Sequence, residues 1–103
     1  GYPTLIGDDA LVGHMAMIHG CTIEDRGFVG LGAVIMNGCV VEREGMLAAG
    51  GLLTPGKRLP AGQLWAGRPG RFLRDLTEAE RASNAKNIAH YAENGQKYRK
   101  VLG

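Results

Sequence analysis

An apolar residue returns every sixth position through most of this chain. Ile23, Val29, Ile35, Val41, Leu47, Leu53, Leu59 and Trp65 share one register; Ile6, Val12 and Ile18 share another, one residue out of phase. Four places after each beat stands a small residue: Ala10, Ala16, Thr22, Gly27, Ala33, Cys39, Gly45 and Gly51. A period of six fits neither the 3.6 of an α-helix nor the two of a strand. It fits a hexad of one short strand and one tight turn, with three hexads closing a triangular coil and coils stacking into a parallel β-helix. Apolar beats then point inward and meet the beats of the next coil. The small residue turns the corner, and glycine serves there because it accepts positive φ.

The glycine content agrees with this. Seventeen glycines in 103 residues is far above the usual share of about 7%, and their regular places make them turn formers, not a linker. The length indicates one domain: residues 1–70 as the β-helix and 71–103 as a carboxy-terminal helical segment of the same unit. No polar cap precedes Ile6, whereas terminal repeats normally carry one, so the β-helix is expected to be incomplete at its amino end. After Leu53 the pattern decays. Lys57 and Gln63 occupy small positions, Pro55, Pro60 and Pro69 enter, and Gly67-Arg68-Pro69-Gly70 reads as the exit turn. Thr77 and Glu80 then form a capping box, with Leu76 as its staple. Ile88, Tyr91, Gly95, Tyr98 and Leu102 recur at helical spacing, so the helix is expected to lie along the coil.

A formal charge of +2 without a clustered basic face argues against nucleic-acid binding. No stretch is apolar enough to cross a membrane, and no secretory signal opens the chain. A cytoplasmic or matrix-like compartment follows. Cys21 and Cys39 are too few for a disulfide framework. Eighteen residues apart, they fall nearly above one another in a coil and read as two reduced, buried small residues.

His14 and His19 are the candidate metal ligands, imidazole being the commonest metal-binding side chain near neutral pH. They belong to successive hexads on either side of a corner, and the hexad from Ile18 to Ile23 is one residue short. Departures from a regular pattern fall at functional or strained sites. Side chains there splay onto two faces, so one subunit does not easily aim both at one ion. A metal between subunits solves this, with His14 from one and His19 from its neighbour, repeated by closed symmetry. The plainer alternative is a pair of surface histidines solvated or bonded to backbone. Asn37, in Met36-Asn37-Gly38, reads as a turn residue.

Gly13-His14-Met15-Ala16-Met17-Ile18-His19-Gly20-Cys21 resembles the two-histidine segment of the gamma-class carbonic anhydrase-like family. The likeness continues through Gly30-Leu31-Gly32-Ala33, Leu53-Thr54-Pro55-Gly56-Lys57, Ala66-Gly67-Arg68-Pro69-Gly70 and Arg74-Asp75-Leu76-Thr77. The resemblance implies a left-handed β-helix assembled as a homotrimer, with zinc or iron held between neighbouring subunits by three histidines. His14 and His19 match two of them. The third is expected upstream of Gly1, about one coil before His19; His90, on the terminal helix, is not its match. The implied activity is hydration of carbon dioxide to bicarbonate, because zinc lowers the pKa of water toward about 7. Glu24 and Tyr91 are candidate proton-transfer groups, with a solvated turn carboxylate and a packed ring as their alternatives. Two other functions compete: a hexapeptide-repeat acyltransferase or thioesterase acting on a coenzyme A thioester, with a histidine as general base, and a structural relative that has lost its chemistry.

Overall fold

The computed structural model describes residues 3–93, with side chains through His90. Two-residue strands follow one another at the beat. The first coil holds β1 (Leu5–Ile6), β2 (Leu11–Val12) and β3 (Met17–Ile18). The second holds β4 (Thr22–Ile23), β5 (Phe28–Val29) and β6 (Val34–Ile35). The third holds β7 (Val40–Val41), β8 (Met46–Leu47) and β9 (Leu52–Leu53), and β10 (Arg58–Leu59) and β11 (Gln63–Ala66) begin a fourth. Strands three apart pair in parallel, giving three flat sheets: β1-β4-β7-β10, β2-β5-β8-β11 and β3-β6-β9. Register advances by 17 residues from the first coil to the second (Leu5 to Thr22) and by 18 thereafter (Thr22 to Val40).

The second residue of each paired strand points inward. Ile23, Val29, Ile35, Val41, Leu47, Leu53 and Leu59 are all buried in one stack. Burying each such aliphatic side chain contributes roughly 1.5–3 kcal/mol.

The corners correct one expectation. Positive φ does not fall on the small residue but one place before it, at Asp9, Met15, Arg26, Gly32, Gly38, Glu44, Gly50, Gly56 and Gly62. The small residue is small for lack of room. A Cβ on Gly27 stands 2.8 Å from Ile23 Cγ2 and 3.0 Å from the Glu24 carbonyl oxygen, whereas one on Gly62 meets only the end of Arg81 at 3.7 Å. The short hexad also moves the small place: Thr22 is a strand residue of β4, and buried Cys21 takes the corner. Cys21 and Cys39 are free thiols. Burial, with Cys39 nearby, pushes the Cys21 thiol up to about 11, so it stays protonated at neutral pH.

The repeat does not stop at the prolines. After the turn at 67–70, residues 71–75 form β12 (Arg71–Asp75), which pairs antiparallel with β11 and ends the second sheet. The sequence assigns these residues to the carboxy-terminal helical segment; they form a strand because they pair with β11 before the helix begins. Helix α1 (Glu78–Glu93) follows. Its capping box forms as expected: the Glu80 N–H donates to Thr77 Oγ1 (3.1 Å), and the Thr77 N–H donates to Glu80 Oε1 (2.9 Å). The helix lies along the corner between the first and second sheets. Arg81 meets Glu44 at 3.6 Å, Asn84 donates to Met46 Sδ, and Ile88 is buried beside Arg26. The face residues Gly95, Tyr98 and Leu102 lie outside the described residues.

Two predictions follow from this packing. Gly27→Ala forces an atom against backbone and costs about 1–3 kcal/mol, while the bulkier Gly62→Asn, at a left-handed position that asparagine tolerates, costs less than about 1 kcal/mol. Urea unfolding at one protein concentration should rank them so; the reverse order contradicts the corner assignment. Second, the bidentate Arg74 guanidinium, aided by the Thr77 N–H, holds the Glu80 carboxyl at about 2. Because this pKa is depressed, the stabilisation is present above the ordinary carboxylate value and is lost as pH falls toward 2. An NMR titration should give a Glu80 midpoint near 2 that rises in Arg74→Ala; an ordinary midpoint in the intact protein contradicts it.

Candidate metal centre

The triangular coil has three corners, and each has its own chemistry. His14 lies on the corner between the second and third sheets, immediately before left-handed Met15. Its carbonyl oxygen accepts the Gly32 N–H of the next coil at 2.9 Å. His19 lies on the corner between the third and first sheets, immediately before left-handed Gly20. Strand β3 runs between the two histidines. They therefore stand on two different corners, at opposite edges of one sheet, and not on either side of one corner as the spacing suggests, because a whole strand fits between them; both are exposed. Among the described residues no three histidine, cysteine, aspartate or glutamate side chains converge on a point that could hold a metal.

The His19 ring is oriented from the neighbouring coil. Its Nδ1 lies 2.8 Å from Asn37 Oδ1. An amide oxygen only accepts, so in a neutral ring this contact is made by the Nδ1–H tautomer, with Nε2 unprotonated. Asn37 is the turn residue that its place before Gly38 implies, and it also meets this ring. The signal for its second role was present: Asn37 is 18 residues from His19, about one coil, and each precedes a left-handed glycine.

The short hexad leaves a mark at the same corner. Elsewhere the left-handed residue donates its N–H to the residue before the left-handed one on the coil below: Arg26 to Asp8, Gly32 to His14, Glu44 to Asp25, Gly50 to Leu31, Gly56 to Asn37. At this corner Gly38 donates instead to Gly20 itself, at 2.8 Å, and the Gly20 N–H donates to Thr4 Oγ1 at 2.8 Å. One residue fewer on the first coil shifts the ladder by one place.

The third corner is built differently. Glu24 Oε1 accepts the Arg43 N–H (3.2 Å), Asp25 Oδ1 accepts the Asp8 N–H (2.9 Å), and Glu42 Oε1 accepts the Ala61 N–H (3.1 Å). Carboxylates there tie one coil to the next, and α1 covers the edge. Strand β4 separates Glu24 from His19. His90 is on α1, on this side of the coil. The Tyr91 side chain lies outside the described residues.

Apolar side chains surround the two histidine corners in solvent. Met15 is 86% exposed, Met17 67%, Leu31 56% and Met36 40%. Met15 is also an L-residue held at φ 62°, a conformation that costs of order 1–3 kcal/mol.

No family model matches the chain. It is similar to gamma carbonic anhydrase 1, mitochondrial, of Arabidopsis thaliana, at 46% identity over 92% of the chain and 38% of that protein. It is similar to a probable carbonic anhydrase of Methanocaldococcus jannaschii, at 52% identity over 90% of the chain and 58% of that protein. Among solved structures, a hexapeptide transferase family protein from Anaplasma phagocytophilum matches with a TM-score of 0.83 and 38% identity, over 92% of the chain and 61% of that protein. The chain thus spans roughly two fifths to three fifths of the length of these relatives. With its six-residue coil, its two-histidine segment and these similarities, the chain belongs to the gamma-class carbonic anhydrase-like family of hexapeptide-repeat β-solenoid proteins.

Proposed function

We propose that the protein hydrates carbon dioxide to bicarbonate at a metal site shared between subunits of a homotrimer. The observation that carries this reading is the placement of His14 and His19 at opposite edges of one sheet, each beside exposed apolar side chains. One chain holding both histidines at one edge would need no partner. This arrangement needs one, and the methionines offer it a surface to bury.

The residues fit a zinc or iron ion. Both donors are imidazoles, the ligand class that suits these metals. His19 meets the further condition that its second nitrogen is engaged, leaving Nε2 for coordination. His14 of one subunit and His19 of the next would supply two ligands, and a third histidine is proposed from sequence preceding Gly1. When bound, such an ion acidifies water toward neutrality, which is the requirement of carbon dioxide hydration. The chain's own part is to aim His19, to fix the His14 backbone through Gly32, and to exclude bulk water with Met15 and Met17 once subunits meet. Glu24 is a weak candidate for proton transfer, because its carboxylate already serves the Arg43 N–H. Two buried reduced thiols suit a cytoplasmic or matrix-like compartment.

A second reading is an acyltransferase or thioesterase acting on a coenzyme A thioester. The hexapeptide transferase family likeness favours it. There a histidine would act as general base without metal, so metal dependence separates the two.

The full-length protein should sediment as a trimer and hold close to one zinc or iron per subunit. His14→Ala or His19→Ala should each strip the metal and abolish carbon dioxide hydration. Full metal in both variants, or a monomer at micromolar concentration, overturns the shared site. Chelator-resistant hydrolysis or transfer of a thioester favours the second reading.

A further inference from the structure

We propose that Asn37 is a positioning residue for His19: it selects the Nδ1–H tautomer and so reserves Nε2 for the metal. The proposal rests on the metal reading above and adds to it the residue that prepares one ligand. Which nitrogen of a histidine binds metal is set by the hydrogen bond that the other nitrogen makes. Here that bond comes from a side chain on a different coil, 2.8 Å away.

The corner is built to hold Asn37 still. Its carbonyl oxygen accepts the Gly56 N–H at 3.0 Å from the coil on one side. The next residue, Gly38, is left-handed and donates to Gly20 on the coil at the other side. The His19 N–H donates to Ile35 at 3.2 Å, which fixes the ring's own backbone. The short hexad completes the alignment, because it places His19 immediately before Gly20 just as Asn37 immediately precedes Gly38. Each side chain therefore stands immediately before the left-handed glycine of its own turn. Asn37 itself is exposed and packs into no core, so its side chain is replaceable without a cavity.

The test uses the full-length protein and two variants, Asn37→Leu, which removes the acceptor, and Asn37→Asp, which keeps it. Long-range nitrogen-15 NMR of the metal-free protein in mildly alkaline buffer reads the His19 tautomer. Chelator competition with zinc reads the affinity. The wild type and N37D should show the Nδ1–H tautomer. N37L should shift toward Nε2–H and lose about 10- to 100-fold in zinc affinity, with an unchanged circular dichroism spectrum and unchanged sedimentation. A purely structural role for Asn37 would lower stability in N37L without moving the tautomer. An Nε2–H tautomer in the wild type, or an N37L variant unchanged in both readouts, overturns the proposal. Zinc retained by both His14→Ala and His19→Ala overturns instead the metal reading, whatever the tautomer shows.

Discussion

Each corner of this coil exposes a backbone N–H that its own coil does not satisfy. The left-handed turn aims it along the axis, and the neighbouring coil supplies the carbonyl: Arg26 to Asp8, Glu44 to Asp25, Gly62 to Arg43. Each such bond contributes only about 0.5–1.5 kcal/mol net, but leaving one buried and unmade costs about 1–3 kcal/mol. The ladder therefore sets the register, and the register sets everything else. Once corners stack, the beats must point inward and meet one another. The residue after a left-handed turn is small through the regular coils, because inward side chains crowd it, Ile23 at Gly27, Leu59 at Gly45 and Leu47 at Gly51; Lys57 and Gln63 take that place only as the coil ends. Strands of two residues survive because neighbouring coils hold them on both sides.

That regularity makes three long edges, and each is used differently. One carries carboxylates that tie successive coils together and is covered by α1. The other two carry His14 and His19, with the sheet of β3, β6 and β9 between them. A parallel β-helix is stiff along its axis, so groups on its edges hold their relative positions as groups on loops do not. Such a scaffold suits a site completed by a neighbour: in the proposed trimer each subunit would present part of the ligand set on each of two edges, and closed symmetry would bring unlike edges together. The interruption of the ladder at Gly20 falls where His19 meets Asn37. Irregularity and proposed chemistry coincide at one corner.

Much of this was readable in the sequence, for a physical reason. A solenoid repeats its constraints, so Ile23, Val29 and their successors report the same inward place again and again. The capping box at Thr77 and Glu80 is equally local and equally legible. What escaped was non-local, or hidden by degeneracy. Glycine has two uses in this coil, room and left-handed φ, and composition cannot tell them apart; only Asp9, Met15, Arg26 and Glu44 at positive φ separate the two places. The short hexad hid Cys21 behind Thr22. Strand β12 alternates too weakly to announce itself, since both of its faces are exposed. Asn37 reads first as a turn former; its spacing of 18 residues from His19 is a signal for the hydrogen bond across coils only once the one-residue shift beside it is known. His14 and His19 stood out as a pair, but their separation onto two edges follows from the length of the side between them.

The central claim is that His14 and His19 act on one ion only when they come from different subunits. Trimers refolded from equal amounts of His14→Ala and His19→Ala subunits test it most directly. Each parent variant alone has no intact site. In mixed trimers, an interface that takes His14 from one parent and His19 from the other is whole, so about a quarter of the wild-type zinc should return by random assembly. Mixed trimers that recover no zinc, with mixing verified by mass spectrometry, would contradict the shared site.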